Sequence, residues 1–142
     1  MARSQYDIDV TKVENFVMCD IQNLPFRDDA FEIGYSYHVI EHGDEPWVMF
    51  KEMVRVSKEK VSIKCPNGIA DRLNRLHKSG THKQFLSKKW FSEACRRFPW
   101  SFTVGYSGYG NPFPLRGLRV FRFPSEINVI VNKTIPASTR AG

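Results

Sequence analysis

The chain has 142 residues, which is enough for one domain with a hydrophobic core and too few for two domains of ordinary size. Hydrophobic residues make up 42% and charged residues 25% of the sequence, and these values exclude a disordered or fibrous chain. No apolar stretch approaches the roughly 20 residues that span a bilayer, and the N-terminus lacks the apolar segment of a signal peptide. We therefore predict a cytoplasmic protein with a single domain over residues 1–135 and a disordered tail over residues 136–142.

The formal net charge is +6, which favours acidic partners such as nucleic acid, an anionic metabolite or a lipid surface. Much of the positive charge lies in residues 72–97, where Glu93 is the only acidic residue and Asp71 directly precedes the segment. A solvated helical face is the alternative explanation of this segment, because charge clusters on helices usually face solvent. Direct nucleic-acid binding has the charge in its favour but no recognisable RNA-binding or helix-turn-helix motif.

The three cysteines, Cys19, Cys65 and Cys95, are far apart in the sequence and show no metal-ligand spacing. An odd number without a paired pattern predicts free thiols rather than disulfides or a zinc site.

The first half of the chain predicts strands around one helix. Short apolar or β-branched runs at residues 8–10 and 16–19 indicate two strands joined by a tight connection. The alternating segment Phe31–Tyr37 predicts a third strand. Apolar residues at helical spacing after Pro46 predict a helix, and residues 61–65 predict a fourth strand. A strand, a helix and a strand in succession form a crossover unit, which predicts parallel pairing and an α/β sheet.

The second half predicts a helix over residues 88–97, with Ser87 as its N-cap, followed by a terminal strand pair at residues 102–106 and 127–135. The stretch over residues 105–126 is rich in Gly, Pro and aromatic residues. A connection of this length is typical of a binding loop or a flexible segment.

In an open α/β sheet, ligands bind beyond the carboxyl ends of the strands. Asp9 lies near the end of the first predicted strand, Asp20 follows the second, and Tyr37 and His38 close the third. A carboxylate at a strand end can accept hydrogen bonds from ribose hydroxyls, and a second can accept one from the exocyclic amine of adenine. An apolar neighbour such as Ile21 can then lie against the ring.

Each of these side chains has an alternative role. Asp20 could cap a turn with its own side chain. His38 and His42 could share a helix face as a metal pair, but no HExxH pattern or third ligand is evident, and we predict no metal site. Glu41 beside His42 could act as a general base, or it could be a solvated acid at a helix N-terminus.

Three segments resemble class I S-adenosylmethionine (SAM) dependent methyltransferases of type 11. They are DIQNLPFRDDAF over residues 20–31, YHVIEH over residues 37–42 and RVSKEKVSIKCPN over residues 55–67. Residues 82–98 resemble a late helix of that family more faintly. The resemblance implies SAM as the cofactor, with Asp20 at adenine, Ile21 packed on the ring and Asp9, or less favourably Asp7, at the ribose.

By the same resemblance Tyr37 and His38 lie near the sulfonium of the cofactor. Glu41 and His42 face the substrate side and are the candidate catalytic residues. The implied function is methyl transfer from SAM to an unidentified acceptor, possibly anionic. The alternative is a catalytically inactive module of the same fold that engages an acidic partner through residues 72–97.

The implied fold is a Rossmann-like α/β sheet, mostly parallel, with an antiparallel C-terminal strand. The family opens with a strand and a glycine-rich turn, yet no glycine precedes Cys19, so we predict an N-terminally truncated domain without its first β-α unit. The loss of a central strand leaves unpaired backbone groups. We therefore predict that the strand at residues 8–10 pairs with Phe31–Tyr37, or that a homo-oligomer completes the sheet.

Overall fold

The computed structural model describes residues 14–75, 82–110 and 123–136. Within these ranges the structure has four strands, three α-helices and a short 3₁₀ helix at Ile40–His42, between the first strand and the first α-helix. In chain order they are β1 (Phe31–Tyr37), α1 (Pro46–Val56), β2 (Ser57–Pro66), α2 (Gly68–Arg75), α3 (Lys88–Cys95), β3 (Trp100–Gly110) and β4 (Phe123–Pro136).

The strands form one mixed sheet in the order β1-β2-β4-β3. β1 and β2 are parallel and are joined through α1, so the predicted crossover unit is confirmed. β4 pairs antiparallel with both β2 and β3, which confirms the antiparallel C-terminal strand. The α/β class is confirmed. Among the described strands one pairing is parallel and two are antiparallel.

The hydrophobic core lies between helices α1 and α3 and one face of the two central strands. Val61 of β2 pairs with Val131 of β4, and Ile63 pairs with Val129, so alternate residues of both strands point into the same layer. Phe50 of α1 and the aromatic side chains of α3 cover this layer. The core therefore fixes the two helices against the sheet and holds the carboxyl ends of β1 and β2 side by side.

Several predicted boundaries agree with the structure. Phe31–Tyr37 is a strand, α1 begins at Pro46, and Ser87 caps α3 by accepting a hydrogen bond from the backbone N–H of Trp90 at 3.1 Å. Helix α2 was not predicted. β3 and β4 extend into the predicted loop at both ends, and the middle of that loop lies outside the described residues, as does the predicted tail from residue 137 onward.

The predicted strand at residues 16–19 is wrong. These residues pair with no strand of the described chain, Asn15 before them has a φ of 61°, and Met18 is 89% exposed. A short apolar run carries strand propensity, but it does not form a strand without backbone pairing to a neighbouring strand, and this segment makes no such pairing with a described strand.

β1 lies at one edge of the described sheet, and its outer face is apolar. Phe31, Ile33 and Tyr35 are all exposed. An exposed apolar edge strand favours pairing with a further strand. Pairing with residues 8–10, which lie outside the described residues, or with a second copy remains a prediction.

No helix in the described part of the chain is long and apolar enough to cross a membrane.

Candidate functional site

Arg55 of α1 forms hydrogen bonds with the segment at residues 24–28, which precedes β1. The guanidinium donates hydrogen bonds to the backbone oxygens of Leu24 and Phe26 at 3.0 and 2.7 Å, and it pairs with Asp28 at 2.8 Å. Glu52 accepts a hydrogen bond from the backbone N–H of Leu24 and also binds Arg55. The hydrogen bond from Arg55 holds the pKa of Glu52 below 4.5 in spite of partial burial. This network places residues 19–24 beside the open edge of β1.

Asp20 closes a turn in this segment. Its Oδ1 accepts a hydrogen bond from the backbone N–H of Gln22 at 2.8 Å, and its backbone oxygen accepts one from Asn23 at 3.0 Å. The carboxylate is exposed. The structure thus shows the turn-capping role for Asp20, and its contact with adenine stays a prediction. Its sequence neighbours Cys19 and Ile21 both line the cavity described next.

A cavity of about 330 Å³ lies between this segment, β1 and the last turns of α1, and is called the β1 cavity hereafter. Its volume lies at the lower end of the range of small-molecule sites, roughly 300–1,000 Å³. Its walls are mostly apolar, as is usual for such sites. The lining residues are Cys19, Ile21, Leu24, Gly34, Tyr35, Ser36, Tyr37, Val39, Met53, Val56 and Ser57.

Ser36 is the polar side chain of interest in the β1 cavity. It is 5% exposed, and its hydroxyl makes no hydrogen bond with any residue that the structure describes. A buried hydroxyl without a partner costs about 1–3 kcal/mol, so native proteins rarely leave one unsatisfied. A polar ligand in the cavity would supply the missing partner.

A charged cluster lies at the carboxyl ends of β1 and β2, and is called the strand-end cluster hereafter. Because β4 runs antiparallel, its early residue Glu126 reaches the same edge of the sheet. The Glu126 carboxylate contacts His38 Nε2 at 3.1 Å and Lys64 Nζ at 2.8 Å. The Tyr37 hydroxyl lies 3.5 Å from Glu126 Oε1, and the Tyr37 side chain also lines the β1 cavity. Tyr37 therefore connects the cavity to the charged groups.

His38 has an unusual backbone conformation, with a φ of 52°. Such values are uncommon for residues other than glycine, and they concentrate at functional sites. Its backbone N–H donates to the oxygen of Lys64 at 2.8 Å, and its ring contacts Glu126, so both ends of the residue are held. These contacts with Lys64 and Glu126 therefore stabilise a backbone conformation that histidine does not favour by itself.

Burial raises the pKa of Glu126, but hydrogen bonds from Lys64 and His38 outweigh this effect and hold it below 4.5. A lowered carboxyl pKa contributes stability that is present above about pH 4.5 and is lost as the pH falls through the lowered value.

We expect Glu126→Gln to remove this contribution to the free energy of unfolding. The urea midpoints of the two proteins should differ near neutral pH and converge as the pH falls through the lowered pKa of Glu126. Glu93→Gln is the control, because it removes only an exposed ion pair, and its urea midpoint near neutral pH should stay close to that of the wild type.

Glu41 and His42 lie in the 3₁₀ helix that follows β1. Glu41 is 2% exposed, and neither carboxylate oxygen accepts a hydrogen bond from a described residue. The nearest base is His38, whose Nδ1 lies 3.5 Å from Glu41 Oε1. The prediction of a solvated acid is therefore wrong, because the side chain is buried. His42 is exposed and stacks edge-on against His82, with 4.8 Å between the ring centroids.

The structure brings four of the predicted residues to one end of the sheet: Tyr37, His38, Glu41 and His42. Ile21 joins them through the wall of the β1 cavity that it shares with Tyr37. Asp9 and Asp7 lie outside the described residues. The residues that the sequence analysis missed come from distant parts of the chain, and they are Ser36, Lys64, Asp71, His82 and Glu126.

Comparison with known proteins supports the resemblance that the sequence shows. Residues 1–63 match a family model described as methyltransferase domain. An uncharacterized methyltransferase of Mycobacterium leprae strain Br4923 is 45% identical over 49 residues, a match that covers 34% of this chain and 18% of that protein. The protein of strain TN gives the same values.

Solved structures share the fold at low sequence identity. A SAM-dependent methyltransferase of Thermotoga maritima, described as a possible histamine N-methyltransferase, aligns with a TM-score of 0.64 at 17% identity over 83% of this chain and 64% of that chain. A SAM-dependent methyltransferase of Archaeoglobus fulgidus gives 0.62 at 14% identity over 82% and 66%. Magnesium protoporphyrin IX methyltransferase of Synechocystis PCC 6803, solved with bound S-adenosylhomocysteine, gives 0.53 at 14% identity over 82% and 50%. The chain thus has a Rossmann-like methyltransferase fold, and it spans less than two thirds of the length of these relatives.

Proposed function

Because residues 1–63 match the methyltransferase domain and the fold is that of SAM-dependent methyltransferases, we propose that the chain binds SAM and acts in methyl transfer. The observation that carries the proposal is the β1 cavity with its unpartnered Ser36 hydroxyl. The net charge of +6 favours an anionic methyl acceptor.

The β1 cavity fits the adenosine part of the cofactor. Ile21, Leu24 and Met53 offer apolar surface to a planar base, and Ser36 offers a hydroxyl to a polar atom of the ligand. Asp20 lies in the turn beside the cavity wall, where its exposed carboxylate can accept a hydrogen bond from an amine. Asp9 is proposed for the ribose by resemblance alone.

The strand-end cluster supplies the polar side of the site. When SAM is bound, its sulfonium supplies an electrophilic methyl group. Tyr37 and His38 border that side, and the Glu126 carboxylate, kept ionised by Lys64, places negative charge near a cationic centre. Glu41 and His42 are the proposed residues at the acceptor, where a base within hydrogen-bond reach can take a proton from the nucleophile. Orientation of the two reactants supplies most of the rate acceleration of such a transfer.

The alternative function, a non-catalytic module that binds an acidic partner through residues 72–97, has weaker support. Several cations of this segment already have local partners. Lys83 pairs with Asp44 at 2.7 Å, and the Arg97 guanidinium lies 4.5 Å from the centre of the Trp47 ring. This alternative gains weight only if the cofactor does not bind. Cytoplasmic location is proposed from the three free thiols, since disulfides are rare in that compartment.

Ser36 gives the sharpest test of the proposal. Ser36→Ala removes the buried hydroxyl that lacks a partner, so we expect the ligand-free protein to keep or gain stability. The same change removes a hydrogen bond to the ligand, and we expect S-adenosylhomocysteine to bind roughly three- to tenfold more weakly. Isothermal titration measures the affinity, and urea unfolding without ligand measures the stability.

Ser107→Ala is the matched control, because that hydroxyl lies 3.4 Å from Glu126 and does not line the β1 cavity. Its affinity for S-adenosylhomocysteine should stay within about twofold of the wild-type value. Equal affinity of wild type and Ser36→Ala would contradict the placement of the cofactor. Absence of binding at millimolar ligand would contradict the proposed function itself and favour the binding-module alternative.

A further inference from the structure

Three metal-ligating side chains converge beside the strand-end cluster. One donor atom each from Glu41, His42 and His82 can be chosen so that all three lie within 4.8 Å of one another. Glu41 and His42 are adjacent in the 3₁₀ helix, whereas His82 comes from the segment before α3. The third ligand that the sequence did not reveal is therefore supplied by the fold.

The backbone fixes this convergence. The N–H groups of Lys83 and Gln84 both donate to the backbone oxygen of Glu41, at 2.9 and 3.0 Å. The Lys83 side chain binds Asp44 at 2.7 Å, and the Gln84 amide donates to the backbone oxygen of the same residue. These four contacts hold the start of the 82–86 segment against the 3₁₀ helix. The position of His82 beside His42 is therefore set by these hydrogen bonds as well as by the contact between the two rings.

The buried Glu41 carboxylate is an independent indication of a ligand. The side chain is 2% exposed, and both oxygens lack a hydrogen-bond partner among the described residues. A buried carboxylate is costly unless it is paired or coordinates a metal. The His38 ring lies near the Glu41 carboxylate, with Nδ1 3.5 Å from Oε1. The other ring nitrogen of His38, Nε2, already contacts Glu126 at 3.1 Å. A cation between Glu41 and the two histidines would compensate the buried charge.

Asp71 of α2 sets the orientation of the His82 ring. Its Oδ2 lies 2.9 Å from His82 Nδ1. Metal-ligating histidines almost always donate their second ring N–H to a carboxylate or a backbone oxygen, which fixes the tautomer and aims the other nitrogen at the ion. With Nδ1 engaged by Asp71, Nε2 of His82 is the atom left for coordination.

We propose that Glu41, His42 and His82 form a divalent metal site, with Zn²⁺ as the best-matched ion and Asp71 as a positioning residue. Two imidazoles and one carboxylate are a ligand set that zinc accepts with one position open to water or substrate. Ligands of a tetrahedral zinc ion at about 2.1 Å stand about 3.4 Å apart. One donor atom from each of the three residues already lies within 4.8 Å of the others, so the separations exceed this spacing by about 1.4 Å at most.

The ligand set also predicts which ions fail. Mg²⁺ prefers oxygen ligands in an octahedron and retains its waters, so a site with two imidazoles should bind it far more weakly than zinc. The inference follows from the donor set and the buried carboxylate and does not rest on the proposed methyl transfer. With the ion bound, Glu41 and His42 would serve as its ligands, and neither side chain would act as the base at the acceptor.

The test is titration of the metal-free protein with Zn²⁺ in competition with a chromophoric chelator, together with Co²⁺ absorption spectroscopy. We expect one zinc ion per chain and an intense Co²⁺ band of tetrahedral type. His42→Ala and His82→Ala should each lose the band and weaken zinc binding at least 100-fold. Asp71→Asn should keep the band and weaken binding roughly 10- to 100-fold.

His38→Asn tests whether the third nearby imidazole is also a ligand, since it removes the His38 ring and places a residue that tolerates positive φ. Its zinc affinity should stay within a few-fold of the wild-type value. His42 is exposed, so its alanine variant should fold, and circular dichroism would verify this. Absence of zinc binding by the folded wild type at about 100 µM, or unchanged affinity in both histidine variants, would overturn the site. Neither result depends on S-adenosylhomocysteine, so failure here is separable from failure of the proposed function.

Discussion

Phe50→Ala is expected to lower the free energy of unfolding by about 3–5 kcal/mol, because a fully buried aromatic ring is lost and a cavity remains. Phe50 is 0% exposed and lies at the centre of an aromatic cluster, with ring centroids 6.3 Å from Phe91, 5.9 Å from Phe98 and 6.2 Å from Trp47. Domains of this size have a total stability of roughly 5–15 kcal/mol. The variant should therefore unfold at a much lower urea concentration, as measured by circular dichroism.

Ile69→Ala is the control for this prediction, because it truncates a large apolar side chain that is about half exposed in α2. Substitutions at such surface positions usually change stability by no more than about 0.5 kcal/mol. Similar urea midpoints for Phe50→Ala and the wild type would show that the aromatic cluster is not the core of the fold.

Gly68→Ala is expected to lower the free energy of unfolding by about 1–3 kcal/mol through overpacking. A Cβ atom at this position would lie 2.5 Å from the carbonyl carbon of Phe85 and 2.6 Å from the oxygen of Leu86. Both contacts are with backbone, which cannot turn aside as a side chain can. The first residue of α2 also donates its N–H to Leu86 at 2.8 Å, so α2 and the 82–86 segment must separate to admit the methyl group.

The same change should weaken zinc binding, since α2 carries Asp71 and the displaced segment carries His82. Gly105→Ala is the control, because a Cβ atom there would meet nothing within 4 Å and β3 does not require a glycine at that point. Its stability should be unchanged or higher by a few tenths of a kcal/mol. Equal stability of the two alanine variants would contradict the close packing of α2 on the 82–86 segment.

The elements that the sequence predicted are those with a strong local pattern. β1 alternates, α1 has apolar residues at helical spacing after a first-turn proline, and α3 begins at a serine cap. α2 was missed because its sequence, GIADRLNR, is polar and begins with a glycine that is needed for packing rather than for the helix. Residues 16–19 were wrongly predicted as a strand from their apolar side chains. They pair with no described strand, and strand propensity alone does not form a strand.

Apart from Ile21, the candidate site was predicted only where it lies on one stretch of sequence. Tyr37, His38, Glu41 and His42 follow β1 directly, and their convergence needs no knowledge of the fold. Glu126 could not be predicted, because it joins the site through the antiparallel direction of β4. The burial of Glu41 and the approach of His82 likewise depend on tertiary contacts, which hydrophobic periodicity does not encode.

The central claim is that the β1 cavity holds the adenosine part of a SAM-type cofactor. A crystal structure of the protein with S-adenosylhomocysteine at millimolar concentration is the most direct measurement. We predict electron density for the base between Ile21 and Met53, with the Ser36 hydroxyl within hydrogen-bond distance of the ligand. An empty β1 cavity in that crystal, or a ligand bound elsewhere on the chain, would contradict it.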